Sequence, residues 1–366
     1  MDHPWPRSAS GVQSGPAKER TDLGGTLSGG KPKSRDMLKP LIPALVVAPM
    51  DGITDAPMRT LLGEFGAFTY AVSEFVRVSS VPLNARAFRR AVPELLADGR
   101  TPSGLPVQIQ ILGGDAERMA LSAVEACAAG ASAIDLNFGC PAPIVNRHDG
   151  GASLLRHPAR IREIVAAVRA AVPEPVAVSA KLRLGWDTTD SIDENAAMAA
   201  EGGASWLTIH ARTRVQGYRP PVYWPCIGKV RADLGLPIIA NGDIWSIEDF
   251  RRCRDETGCI HYMLGRGALA DPTLPKRIAV ELGIRTGEPP QTDWVKLFER
   301  FVELMADDSE RGRSRTLCRL KQWLLLSHEH GELRCFHELK RSKTLQEFFD
   351  GLGCWQENRR FTRLGL

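Results

Sequence analysis

Cys140 lies in Ile134-Asp135-Leu136-Asn137-Phe138-Gly139-Cys140-Pro141, where an apolar alternation ends abruptly in polar residues. Ile134 and Leu136 alternate with Asp135 and Asn137, as in the last stretch of a buried strand. Gly139 permits a bend and Pro141 ends the pairing, so the thiol is held on a stiff turn. A thiol near its reference pKa of about 8.5 is mostly protonated at neutral pH and can act as a general acid. It can equally be a small, inert, buried thiol, and these residues alone leave both readings open. Other chemistry-bearing residues end other apolar runs. Lys181, in Ser-Ala-Lys-Leu-Arg-Leu, needs an anionic or polar partner if it points inward, because an unpaired buried ammonium is costly. Gly242 and Gly265-Arg266-Gly267 offer backbone N–H groups and a forked cation, a combination suited to phosphate. Gln110 and His210 could belong to the same site, or be satisfied by loop backbone and core hydrogen bonds. Together these positions suit a phosphorylated cofactor. No acidic cluster or His pair has metal-ligand spacing, so no metal is expected.

The elements that would position these residues recur from about residue 41 to 283. Short β-rich runs occur at 45–50, 68–75, 106–112, 133–137, 176–184, 206–210, 237–241 and 261–265, with amphipathic helices such as 116–129 and 158–172 between them. Eight alternating βα units in some 240 residues predict a closed (β/α)8 TIM barrel. A doubly wound open sheet is the alternative, but Ala48-Pro49-Met50-Asp51-Gly52 stands where its Gly-rich turn belongs. In a barrel the strand ends converge on one mouth, which brings together Pro49, Met50, Gln110, Asn137, Cys140, Lys181, Arg183, His210, Asn241, Asp243 and Arg266. After Pro289 the pattern turns wholly helical, over 294–305, 314–327, 332–341 and 345–352. The expected layout is a disordered N-terminal extension over 1–38, a barrel over 39–288 and a small helical domain over 289–366. Arg311, Arg313, Arg315, Arg319 and Lys321 form an acid-free basic run on that domain, either a solvated helix face or a set of phosphate contacts.

Composition bounds the alternatives. The chain has 366 residues, 43% hydrophobic and 25% charged, as in ordinary globular proteins. No apolar run is long enough to span a membrane, and the start lacks a signal-peptide core. Eight scattered cysteines without a CxxC pair suit a reducing cytoplasm. A net charge of +4 permits a nucleic-acid partner without requiring one.

Asn137-Phe138-Gly139-Cys140-Pro141, with Ala48-Pro49-Met50-Asp51-Gly52, resembles the tRNA-dihydrouridine synthases. The likeness continues through Arg100-Thr101-Pro102-Ser103-Gly104, Leu182-Arg183-Leu184-Gly185-Trp186-Asp187, His210-Ala211-Arg212-Thr213, Asn241-Gly242-Asp243-Ile244-Trp245, Gly265-Arg266-Gly267-Ala268-Leu269 and Arg319-Leu320-Lys321-Gln322-Trp323-Leu324. Ser73-Glu74-Phe75-Val76-Arg77 and Gln216-Gly217-Tyr218-Arg219 are most similar to the C subfamily, which acts on uridine 16 of the tRNA D-loop. The resemblance implies a barrel and a C-terminal helical domain, flavin mononucleotide (FMN) at the mouth, NADPH or NADH as reductant, tRNA as partner and a monomer in the cytoplasm. It implies that Pro49 and Met50 line the isoalloxazine, Gln110 and Lys181 bind its polar edge, and His210 lines the ribityl chain. Asn241, Gly242, Asp243, Gly265 and Arg266 would lie at the phosphate. Cys140 would be the acid, with Asn137, Arg183 and Tyr218 near the uracil and Arg315, Arg319 and Lys321 on the tRNA. Phe138 is bulkier than the residue usual before Gly-Cys-Pro. An FMN-dependent reductase of small pyrimidines or of dihydroorotate type is the alternative activity.

Overall fold

The computed structural model describes residues 37–147 and 149–364. Each of the eight expected apolar runs yields a strand, and a ninth, β3, follows the second run: β1 (Ala44–Val47), β2 (Tyr70–Val72), β3 (Val76–Arg77), β4 (Val107–Leu112), β5 (Ala133–Asn137), β6 (Ala177–Arg183), β7 (Leu207–His210), β8 (Ile238–Asn241) and β9 (His261–Leu264). All pairings are parallel, and β1 lies between β2 and β9. Both β2 and β3 pair with β4, so they form one stave bent at 73–75 and the sheet closes as an eight-stave barrel.

The period of two explains what each strand buries. Leu45, Val47, Ile109, Ile111, Ile134, Leu136, Val178, Ala180 and Leu182 join the layer packed against the surrounding helices. The alternate positions form the barrel interior, which is apolar on one side, with Ala44, Val46, Tyr70, Val72 and Met263. On the other side it is polar, with Gln108, Gln110, Asp135, Ser179 and Thr208 all buried. Met37 and Leu38, 2% and 8% exposed, pack into the apolar part. They therefore belong to the barrel, and the extension ends before them. The remainder of that expected extension lies outside the described residues. Phe138 is fully buried in the layer beneath the helices, so its bulk faces away from the thiol.

The C-terminal helices span Trp294–Met305, Glu310–His330, Phe336–Leu339 and Leu345–Leu364. Trp323 is their centre, edge-on to Trp294, Phe298 and Phe301. Its indole N–H donates to the Leu269 carbonyl at 2.7 Å, and Ser327 Oγ donates to the same oxygen at 3.0 Å. The helices share one apolar core with the barrel and cluster with it as one compact unit. The segment 283–290 thus joins two parts of one core.

Candidate active site

The loop after β5 is fixed by Asn137. Its Oδ1 accepts the backbone N–H groups of Gly139 and Cys140, both at 2.9 Å, which sets the orientation of the whole amide. Asn137 Nδ2 then donates to Gln110 Oε1 at 2.8 Å, and Gln110 Nε2 donates to Asp135 Oδ2 at 2.7 Å. Ser179 Oγ bonds the other Asp135 oxygen at 2.5 Å, and Gln108 Nε2 donates to Ser179 Oγ at 2.9 Å. A buried polar chain therefore runs from the barrel interior to the Cys140 turn. From the other side Arg183 Nε donates to the Gly139 carbonyl at 2.8 Å. The Cys140 carbonyl accepts from Ala152 N at 3.1 Å and Asn146 Nδ2 at 3.3 Å. Gly151 makes that approach possible, since a Cβ there would stand 3.0 Å from the same oxygen at a φ of +61°.

The Cys140 side chain is half-buried, and its pKa is raised, chiefly by burial and further by Asp51. The Ala142 N–H and the Arg183 and Arg77 cations oppose this, but burial dominates and the thiol is protonated at neutral pH.

Lys181, His210 and Asn241 are brought together by register: Lys181 faces Thr208, Arg183 faces His210 and His210 faces Asn241 across β6, β7 and β8. Lys181 Nζ donates to Asn241 Oδ1 at 3.0 Å, and Asn241 Nδ2 donates to the Met263 carbonyl at 2.9 Å. Burial first, and then repulsion from Arg183, lowers the Lys181 pKa to about 8. His210 is pushed well below its usual value by burial and four cations, so its ring is neutral. Its Nδ1 is buried without a partner. Beside it Gly242, at φ +122°, leaves space that a Cβ would fill within 3.5 Å of the His210 ring. The N–H of Met50 donates to Thr54 Oγ1 at 2.8 Å, and Arg59 Nη1 donates to the Thr54 carbonyl at 2.6 Å, which holds Pro49-Met50 in place. Arg59 is itself fixed by a buried bidentate pair with Glu94 at 2.8 Å. Gly265 lies against Met50, with a Cβ there standing 3.1 Å from its sulfur.

Four expected residues take on different work. Asp243, at φ +49°, binds Arg212 through both carboxylate oxygens and Arg266 at 3.2 Å, so it organises cations at the phosphate end. Arg183 engages three backbone carbonyls, those of Gly139, Thr213 and Gly217, and is mainly a loop clamp. Arg319 is half-buried and bonded to Asp55 at 2.7 Å and to the Ile53 carbonyl at 2.6 Å, tying the helices to the first barrel loop. Lys321 donates to the Ser342 carbonyl at 2.5 Å. Neither cation is offered to solvent as a phosphate contact, whereas Arg315 is exposed, 3.8 Å from Asp307. Tyr218 stands at the lip, 49% exposed, 6.3 Å from His210 and 4.7 Å from the Arg266 guanidinium. Arg212, which follows His210 at the end of β7, lies at the mouth as its position implies, whereas Trp245 and His330 were given no role there by the sequence. Trp245 lies under Arg266 at 4.9 Å and stacks on His330 at 3.9 Å. The Asn-Gly-Asp-Ile-Trp motif pointed to Trp245, but nothing in the sequence pointed to His330. Among the described residues no group of His, Cys, Asp and Glu could hold a metal, and no helix is long and apolar enough to cross a membrane.

A family model described as dihydrouridine synthase matches residues 46–353. The chain is 43% identical over 290 residues to a tRNA-dihydrouridine(16) synthase of Cupriavidus necator, covering 79% of this chain and 85% of that protein. It is 41% identical over 306 residues to one of Shewanella oneidensis, covering 83% and 95%. Among solved structures, histamine dehydrogenase from Rhizobium sp. 4-9 superposes with a TM-score of 0.50 at 14% identity, over 78% of this chain and 49% of that one. That likeness shows the fold alone.

Proposed function

The chain belongs to the dihydrouridine synthase family, and from that premise we propose that it reduces the C5=C6 bond of uridine 16 in the tRNA D-loop, with FMN at the barrel mouth and NADPH or NADH as reductant. One observation carries the assignment of roles: a protonated, backbone-clamped Cys140 stands at the end of β5, beside the β6–β8 cluster of Lys181, Asn241 and unpartnered His210.

The residues present fit the cofactor. Lys181 has two N–H donors beyond its bond to Asn241, His210 Nδ1 lacks a partner, and Gly242 leaves room at the ring. Pro49, Met50, Gln110, Lys181 and His210 would hold the flavin and its ribityl chain, with Asn241, Gly242, Gly265 and Arg266 at the phosphate. When bound, FMN supplies the hydride. The Cys140 thiol gives its proton to the other uracil carbon, and solvent returns that proton afterwards. Arg183 and Arg77 favour the thiolate that this transfer leaves behind. A tRNA base must leave its stack to reach this turn, at a cost of a few kcal/mol. The product belongs to the cytoplasm, where tRNA is modified.

The test uses purified protein, NADPH and tRNA, with dihydrouridine mapped by position. Product at position 16 is expected. Product at other positions alone, or reduction of free pyrimidines in preference to tRNA, overturns the reading. Lys181→Ala and Arg266→Ala should each lose FMN on dialysis faster than wild type. Full retention in both removes these residues from the cofactor site.

A further inference from the structure

Arg319 and Lys321 are engaged within the protein, so the grip on RNA must draw on cations elsewhere. A cleft of about 790 Å³ opens between the strand ends of β3 and β4 and the loop that carries Cys140. Four arginines line it, Arg77, Arg118, Arg147 and Arg160, against two carboxylates, Asp115 and Asp149. Arg118 is held by Asp115 at 3.0 Å and by the Ser79 carbonyl at 2.6 Å. Arg160 donates to the Gly114 carbonyl at 2.7 Å and stands 3.5 Å from Asp149. Those two pairs balance in charge. The side chains of Arg77 and Arg147 make no hydrogen bond or ion pair among the described residues, so the cleft carries two uncompensated guanidiniums. Arg77 is close enough to Cys140 to lower its pKa, and Arg147 follows the same turn, seven residues after the thiol.

We propose that this cleft binds the RNA backbone next to the target nucleotide, with Arg77 and Arg147 each contacting a phosphate. The proposal rests on the tRNA reading above. A nucleotide seated at Cys140 is part of a polymer, so its neighbouring phosphates must cross the rim of the mouth. The cleft borders the loop that carries Cys140, through Val145, Arg147 and Gly150, and offers forked donors. It lies over the ends of β3 and β4, whereas the C-terminal helices pack on the segments following β1 and β9. The cleft and the C-terminal helices thus occupy separate sectors of the mouth.

The experiment measures tRNA affinity against salt for wild type, an Arg77→Ala/Arg147→Ala double variant and the corresponding Lys pair. Loss of two single-strand phosphate contacts should flatten the slope of log K against log salt by about 1.4. Between 50 and 200 mM salt the double variant should then lose about sevenfold less affinity than wild type, starting from a weaker value. The Lys pair should recover most of the slope. Flavin reduction by NADPH, a step that does not use the Cys140 thiol, should be unchanged in Arg147→Ala alone. An unaltered slope overturns the proposal, as does a raised KM for NADPH with unchanged tRNA binding, which would give the cleft to the reductant. If the double variant fails to fold, Arg147→Glu, at an exposed position without partners, must still weaken tRNA binding, and wild-type affinity there overturns the proposal. Wild-type protein that binds no tRNA sinks both this proposal and the reading beneath it. A defect-free variant beside an active wild type sinks this one alone.

Discussion

Asn137→Asp tests the polar chain at its most exposed logical point. The replacement is nearly isosteric, and one carboxylate oxygen can still accept from the Gly139 and Cys140 N–H groups. The other oxygen then faces Gln110 Oε1, where the native amide donates at 2.8 Å. If Gln110 turns its amide to donate there, its oxygen meets Asp135 in place of the N–H now bonded at 2.7 Å. Either way one acceptor faces another in a site where Gln110 is fully buried. A buried unsatisfied polar group costs about 1–3 kcal/mol, and the added charge raises that figure, so destabilisation of about 2–4 kcal/mol is expected. Burial raises the pKa of the introduced carboxyl above its unfolded value. The deficit is therefore present at high pH and shrinks as pH falls through that raised pKa, where the acid can donate to Gln110. Urea unfolding at pH 5 and pH 8 measures it, alongside the rate at which iodoacetamide alkylates Cys140. A variant within 0.5 kcal/mol (about a twofold change in the folding constant) of wild type at pH 8 would refute this wiring.

Three further outcomes are expected. Cys140→Ala should keep FMN and its reduction by NADPH while tRNA turnover stops, and turnover by the variant would remove the thiol from the mechanism. Arg319→Ala should cost about 1–3 kcal/mol in unfolding measurements, because it leaves Asp55 and the Ile53 carbonyl without a half-buried charged partner. Asp55→Asn should recover part of that loss in the double variant, and strict additivity would argue against the tie. Glu74 titrates at about 7, raised first by burial and then by Asp55. Its neutral form stabilises the fold below the unfolded value near 4.5, and that contribution is lost as pH rises through 7. Glu74→Gln should match wild type at pH 5 and exceed it at pH 8 by up to about 3 kcal/mol, and a gain that is equal at both values excludes the shift.

The barrel was readable because eight short β-rich runs recur with amphipathic helices between them. Residues 133–137 and 116–129 appear in the structure at the expected bounds. The mouth was readable wherever a residue type is unusual for its place, as with Lys181 in an apolar run. Pairing across the molecule was not. Arg319 and Asp55 are 264 residues apart, and a cation on an amphipathic helix reads the same whether it meets solvent or a distant carboxylate. Asp135 was visible only as the polar half of an alternation. Its bond to Gln110 depends on the shear of the barrel, which local periodicity does not encode. Arg77 and Arg147 stand 70 positions apart in the chain, and the pairing of β3, β4 and β5 puts them in one cleft.

The Leu269 carbonyl, shared by Trp323 and Ser327, has a mechanical meaning. It belongs to the short helix Arg266–Ala270, whose first residue contacts Tyr218, Trp245 and Asp243 at the mouth. The long helix Glu310–His330 grips that piece at its far end and stacks His330 on Trp245 at the near one. A load applied to the C-terminal helices by a docked polymer is thus delivered to the turn assigned to the cofactor phosphate. By thermodynamic reciprocity, if a polymer docking on these helices shifts this turn, a group that orders the turn must bias that docking by the same amount.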